Sequence, residues 1–187
     1  MKKSNYFSII LVTFSVSSCI NTPEDAVKYF ENIFKYQEYV IEKEGELQNV
    51  ILKFVSEPAE DSIADKSDTT SNISFDELDT AFNSFLNQIN LSLKEVKKIQ
   101  AFSEKTILRD AAINLLNAYK SVAENEYAEI LSILKTPDEE ISEDDNALFN
   151  ELFSTQINLK LDKELDEFFE VQQAFAEEYD FELLEEN

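Results

Sequence analysis

The chain has 187 residues, with 39 acidic against 16 basic side chains, a net charge of −23, no His, no Trp, one Gly and one Cys. Without His there is no imidazole base, no imidazole metal ligand and no Glu-x-x-His di-iron helix, and with a single Gly there is no phosphate-cradling loop or dinucleotide fingerprint. The charge is opposite in sign to the basic footprint that nucleic acid demands, so the composition predicts no nucleic-acid partner, no cofactor and no metal.

The N-terminus reads as an address. Lys2 and Lys3 precede a short apolar run from Tyr6 to Phe14, and Val16-Ser17-Ser18-Cys19 follows. The run is too short to span a bilayer, and small residues before a cut site suit a signal peptidase. Val, two small residues and then Cys resembles the bacterial lipobox, in which the Cys is acylated and becomes the first residue after cleavage. Cys19 is the only Cys, so it has no disulfide partner within the chain. Two or three acyl chains give durable anchoring where one is marginal. The expected organisation is a signal peptide at 1–18, removed on maturation; a lipidated tether at 19–22; and a helical domain at 23–186. The membrane is thus an expected partner through Cys19. Ile20 rather than Asp follows the Cys, which favours the outer membrane and leaves its periplasmic face and the cell surface both open.

The body reads as all-α. Gly is nearly absent, the three prolines stand at element boundaries, and apolar residues recur at three and four rather than at two. Helix one starts at Thr22-Pro23-Glu24-Asp25, a capping-box pattern. It carries Phe30, Ile33, Gln37, Val40, Glu44, Leu47, Ile51 and Phe54, and ends near Ser56. Residues 56–73 are polar and acidic with little to bury, and read as a mobile linker. Helix two opens on the capping box Ser74…Glu77, with Ile73 and Leu78 at the hydrophobic-staple positions. Its stripe runs Leu78, Phe82, Phe85, Ile89, Leu93, Val96 and Ile99.

After a break near Phe102 to Lys105, helix three carries Leu108 through Leu134 and stops at Thr136-Pro137. Its Ala111, Ala112 and Ala118 would admit a close neighbour. Helix four follows the acid run 138–145, which suits a positive helix start, and continues to about Leu184 through Phe149, Phe153, Ile157, Leu161, Leu165, Phe168, Phe175 and Tyr179. At roughly 40 residues it would reach about 60 Å and kink or overhang its neighbours. The connections favour antiparallel neighbours, hence an up-down-up-down four-helix bundle.

Leu108-Arg109-Asp110-Ala111-Ala112 with Leu115, Tyr119, Tyr127 and Ile130-Leu131, together with Phe168, Gln172, Phe175-Ala176 and Tyr179, and with Tyr29, Ile33 and Gln37, resembles a family of helical surface lipoproteins from Bacteroidetes and Leptospira. The resemblance implies a lipid-anchored helical bundle and carries no assigned activity. The linker at 56–73 departs from that pattern.

Several residues are candidate sites. Gln37 and Glu44 interrupt the first apolar stripe and Gln172 the last. They read as the lining of a ligand cavity, as a polar layer fixing helix register, or as stripe-edge residues. Gly45 inside a helix costs about 1 kcal/mol against Ala and points to a close helix contact or a bend. Arg109, the only arginine, reads as an ion-pair residue beside Asp110 or as an anion clamp. The acid run 138–145 has oxygen ligands but neither EF-hand spacing nor its turn Gly, so it reads as a solvated helix start. In the linker, Asp61-Ser62-Ile63 and Asp68-Thr69-Thr70 resemble an Asp-Ser/Thr-aliphatic O-glycosylation acceptor, which nominates Ser62 and Thr69. The expectation is a non-catalytic binding or structural module of the bacterial envelope, with a protein partner and an oligomeric state that the residues do not name. The rivals are a small-molecule carrier with an interhelical cavity and a carboxylate-dependent hydrolase.

Overall fold

The computed structural model describes residues 22–56 and 73–183. The expectations for the signal peptide, Cys19, Ser62, Thr69 and most of the linker concern residues outside these. Among the described residues the chain is all-helical: α1 is Pro23–Ser56, α2 is Phe75–Val96, α3 spans 107–134 and α4 spans 143–178. No described helix is long and apolar enough to cross a membrane.

The helix starts follow from side-chain caps. The Thr22 hydroxyl accepts from the Asp25 amide at 3.2 Å while the Asp25 carboxylate accepts from the Thr22 amide at 3.2 Å. Ser74 and Glu77 form the same reciprocal box at α2, with Leu78 fully buried and Ile73 packed against the core. A third box, Ser142 with Asp145, opens α4. Each cap satisfies amides that a helix start would otherwise leave orphaned, at about 1 kcal/mol apiece.

Helix α2 ends at Val96, and the turn to α3 closes through paired backbone bonds between Phe102 and Lys105. Ser103 (φ 49°) and Glu104 (φ 64°) take left-handed conformations there, a strain that non-glycine residues accept where the surroundings enforce it.

Helix α4 stops earlier than its hydropathy suggests. It ends at Glu178, not near Leu184. Asp180 turns left-handed (φ 58°), and the Phe181 amide bonds back to the Ala176 carbonyl at 3.1 Å. That six-to-one closure is a Schellman turn. It folds Phe181 back toward Phe175 and Phe30, with ring centroids 6.1 and 5.7 Å away, so burial of an aromatic ring wins over continued helix.

Two wide turns were not expected. In α3, Ala123–Tyr127 is π-helical, and the Ala128 amide reaches the Ala123 carbonyl five residues back. In α4, Leu152–Gln156 is π-helical, closed by the Ile157 amide on Leu152. The two wide turns lie against each other. Elsewhere α1 packs along α2, α2 on α3, and α3 on Ile157–Glu178 of α4, with α1 also touching α3. One continuous apolar core results, including Ile33, Leu47, Phe85, Ile89, Leu115, Ile130, Ile157 and Phe168.

Candidate functional site

Among the described residues two hydrogen-bonded polar groups sit deep between these helices: Ser92 of α2, fully buried, donates to the Tyr36 carbonyl of α1 at 3.1 Å and accepts from Gln88, and a larger set is built on Glu44. Glu44 of α1 is 8% exposed. Its carboxylate accepts from the Tyr127 hydroxyl at 2.9 Å, and that hydroxyl accepts from Gln48 Nε2 at 2.8 Å. The Phe85 ring of α2 stands nearly perpendicular to those of Tyr127 (5.6 Å) and Tyr119 (6.5 Å). Burial pushes the Glu44 carboxyl above the usual carboxylate range, partly opposed by the Tyr127 hydrogen bond. Burial, reinforced by the Glu44 charge, pushes the Tyr127 and Tyr119 hydroxyls well up. Tyr127 therefore stays protonated and remains a donor to Glu44.

The wide turn in α3 is what delivers Tyr127 to this place. Tyr119, Ala123, Tyr127 and Leu131 are all buried and stand four residues apart. In a regular helix each such step drifts by about 40°, and one π turn absorbs the drift. Phe149, Phe153, Ile157, Leu161 and Leu165 repeat the same step in α4, and its wide turn lies among them. Beside Tyr127, Glu126 is 7% exposed and bonds to Lys160 of α4. One Glu126 oxygen (Oε2) is buried without a hydrogen bond.

The other interruptions behave differently. Gln172 is buried and its Nε2 has no hydrogen-bond partner; Gln37 is half-buried and its Oε1 has none. Neither lines the two grooves described below. The Tyr29 hydroxyl is enclosed near the Phe102 backbone, without a full hydrogen bond.

Gly45 does not mark the close helix contact that was one of its two readings. A Cβ built there meets nothing within 4 Å, so no other helix of the described chain approaches it closely.

Arg109 bonds to the Asp110 carboxylate at 3.0 and 3.1 Å and donates to the Ile99 carbonyl at 3.2 Å. It is a local pair that ties α3 to the turn after α2. Within the acid run, Asp145 closes the Ser142 cap and is held low by the Ser142 hydrogen bonds. Among the described residues no cluster of three or more Asp, Glu, His or Cys is arranged to hold a metal.

Two grooves open on the surface between α3 and α4. They share Ile107 and Val171 and so run into each other. No protein-family model, curated protein or solved structure matches the chain.

Of the residues singled out from sequence, the structure gives a partnered core role to Glu44, leaves Gln37 and Gln172 with unpartnered polar atoms, and makes Arg109 a local pair. It adds Gln48, Tyr119, Tyr127, Glu126 and Lys160. The signal for Tyr127 was present in the four-residue spacing of α3. No local signal marked Lys160 or Gln48, which reach their partners across 34 and 79 residues.

Proposed function

We propose that the protein is a lipid-anchored component of the bacterial envelope, outer-membrane located, whose helices form an up-down-up-down four-helix bundle acting as a non-catalytic binding or structural module. The observation that carries this reading is Val16-Ser17-Ser18-Cys19 behind Lys2-Lys3 and a short apolar run, with Cys19 the only cysteine. The likeness of α1, α3 and α4 residues to helical surface lipoproteins supports it. Packing between helices consecutive in sequence, and the ring contacts of Tyr29 and Phe30 near the start of α1 with Phe175 and Phe181 at the end of α4, support the topology. The two buried carboxylates among the described residues, Glu44 and Glu126, are engaged by Tyr127 and Lys160 rather than set in either groove, which favours a structural role for them over hydrolysis. Metabolic labelling with an alkyne fatty acid tests the anchor. The full chain should take up label and partition into detergent, and Cys19→Ser should lose both; labelling that survives Cys19→Ser overturns the reading.

A second reading has its own observation. Gln37 Oε1 and Gln172 Nε2 are a buried acceptor and a buried donor without hydrogen-bond partners, and a polar small molecule that reached either one between the helices would satisfy it. Native mass spectrometry of the purified protein separates the two. Extra mass released on denaturation favours the carrier, and a bare chain favours the module.

A further inference from the structure

The surface between α3 and α4 is apolar at its floor and acidic at its rim. Ala111, Phe168, Val171 and Ala174 contribute to the floor, and Ile107, 64% exposed, stands between its two halves. Asp110, Glu164, Glu167, Glu170 and Glu178 line it. Three cations answer these five acids: Arg109 on Asp110, Lys163 on Glu164 and Glu167, and Lys105 on Glu178. Glu170 has no ion-pair partner among the described residues.

The lower end of the groove is also electrostatically inverted. The last turn of α4 carries Glu177 and Glu178 and no basic residue, although a helix C-terminus is the negative end of the dipole and favours cations. Among the described residues, Lys105, reaching from the turn before α3, is the one cation paired with it. The arrangement repels itself and is relieved by positive charge from outside. A lone basic ion would not use the apolar floor, and an apolar ligand would not use the rim. A segment with both would use each.

We propose that the groove between α3 and α4 docks a cationic amphipathic helix of a partner protein, its apolar stripe over Ile107 and Val171 and its Lys or Arg residues against Glu164, Glu167, Glu170 and the end of α4. The acidic edge from Glu164 to Glu178 is about 21 Å long at 1.5 Å per residue, which matches about four turns of a docked helix. The proposal rests on the binding-module reading above and names the chemistry of its partner. It does not depend on acylation of Cys19.

The test is a fluorescence-anisotropy titration of the full chain in detergent with a labelled leucine-lysine amphipathic peptide of about 16 residues. The leucine-glutamate counterpart is the control. Saturable binding of the lysine peptide alone is expected. Glu164→Gln/Glu167→Gln/Glu170→Gln should weaken it about tenfold. Glu31→Gln/Glu38→Gln/Glu42→Gln, an equal charge change on exposed positions of α1, should leave it within about twofold. Ile107→Asp is the decisive variant. It adds negative charge at an exposed helix start where an acid is tolerated, so attraction to overall charge would tighten binding, whereas groove docking weakens it about tenfold. Tighter binding by Ile107→Asp, equal loss in the two triple variants, or no preference for the lysine peptide overturns the proposal. Failure of the full chain to take up the fatty-acid label, or label that survives Cys19→Ser, with groove binding intact would sink the anchor alone.

Discussion

Two of the junctions that join these helices are built from different chemistry. At one, Tyr29, Phe102, Phe175, Tyr179 and Phe181 stack and tilt against one another at 4.7 to 6.1 Å. At the other, Glu44, Gln48 and Tyr127 join α1 to α3 by directed hydrogen bonds inside the core. The aromatic junction draws on contact area and ring geometry and tolerates small displacements. The polar junction tolerates none, because a buried carboxylate that loses its donor keeps its desolvation cost. The first junction contributes mainly stability. The second sets which residue of α1 stands beside which residue of α3, and it needs a wide helical turn to do so.

The largest expected effect lies at the aromatic junction. Phe175→Ala removes a ring that meets Tyr29, Phe102, Tyr179 and Phe181 and should cost about 3–5 kcal/mol in urea unfolding. A cost below about 1 kcal/mol would mean that the end of α4 is not held there. Tyr127→Phe comes next. It strips Glu44 of its donor and should cost about 1–3 kcal/mol. Adding Glu44→Leu to it should recover most of that loss, since replacing both partners by apolar groups removes the unmet polar demand. A double variant as weak as the sum of the two singles would show that Glu44 and Tyr127 act separately.

The pH dependence sharpens the same contrast. The folded-state pKa of Glu44 is raised, chiefly by burial, so the folded chain binds this proton more readily than the unfolded chain. Stability from this group is then fullest below the unfolded-state value near 4.5 and is lost as pH rises through the raised folded value. Glu44→Gln keeps an acceptor for Tyr127 and removes the titration. Its melting temperature should exceed that of the parent at pH above neutrality, and the gap should close toward pH 4. A gap constant across pH would assign the effect to packing. The smallest change is Gly45→Ala. With open space around the added methyl, it should stabilise by about 0.5–1 kcal/mol through helix propensity. Destabilisation would reveal a close neighbour at that face.

The sequence by itself determined the helical class, the helix starts and most of the buried stripes, because these are local. Thr22, Ser74 and Glu77 reach amides three residues away, and the 3.6-residue repeat sorts apolar from polar faces without knowledge of the partner. Ser142 with Asp145 was equally local, but was masked by the acids around it. The tertiary structure decided what spacing alone leaves degenerate. Glu44, Gln37 and Gln172 give the same signal in a stripe, and only the arrival of Tyr127 from 83 residues away makes Glu44 satisfied while the two glutamines keep unpartnered atoms. The end of α4 was decided in the same way: the chain from Asp180 has apolar residues enough to continue a helix, but Phe181 gains more from the Phe30 and Phe175 rings than from another turn. Hydrogen bonds and ring contacts between distant segments depend on where the helices meet, and that is a property of the packed core rather than of any single stretch of chain.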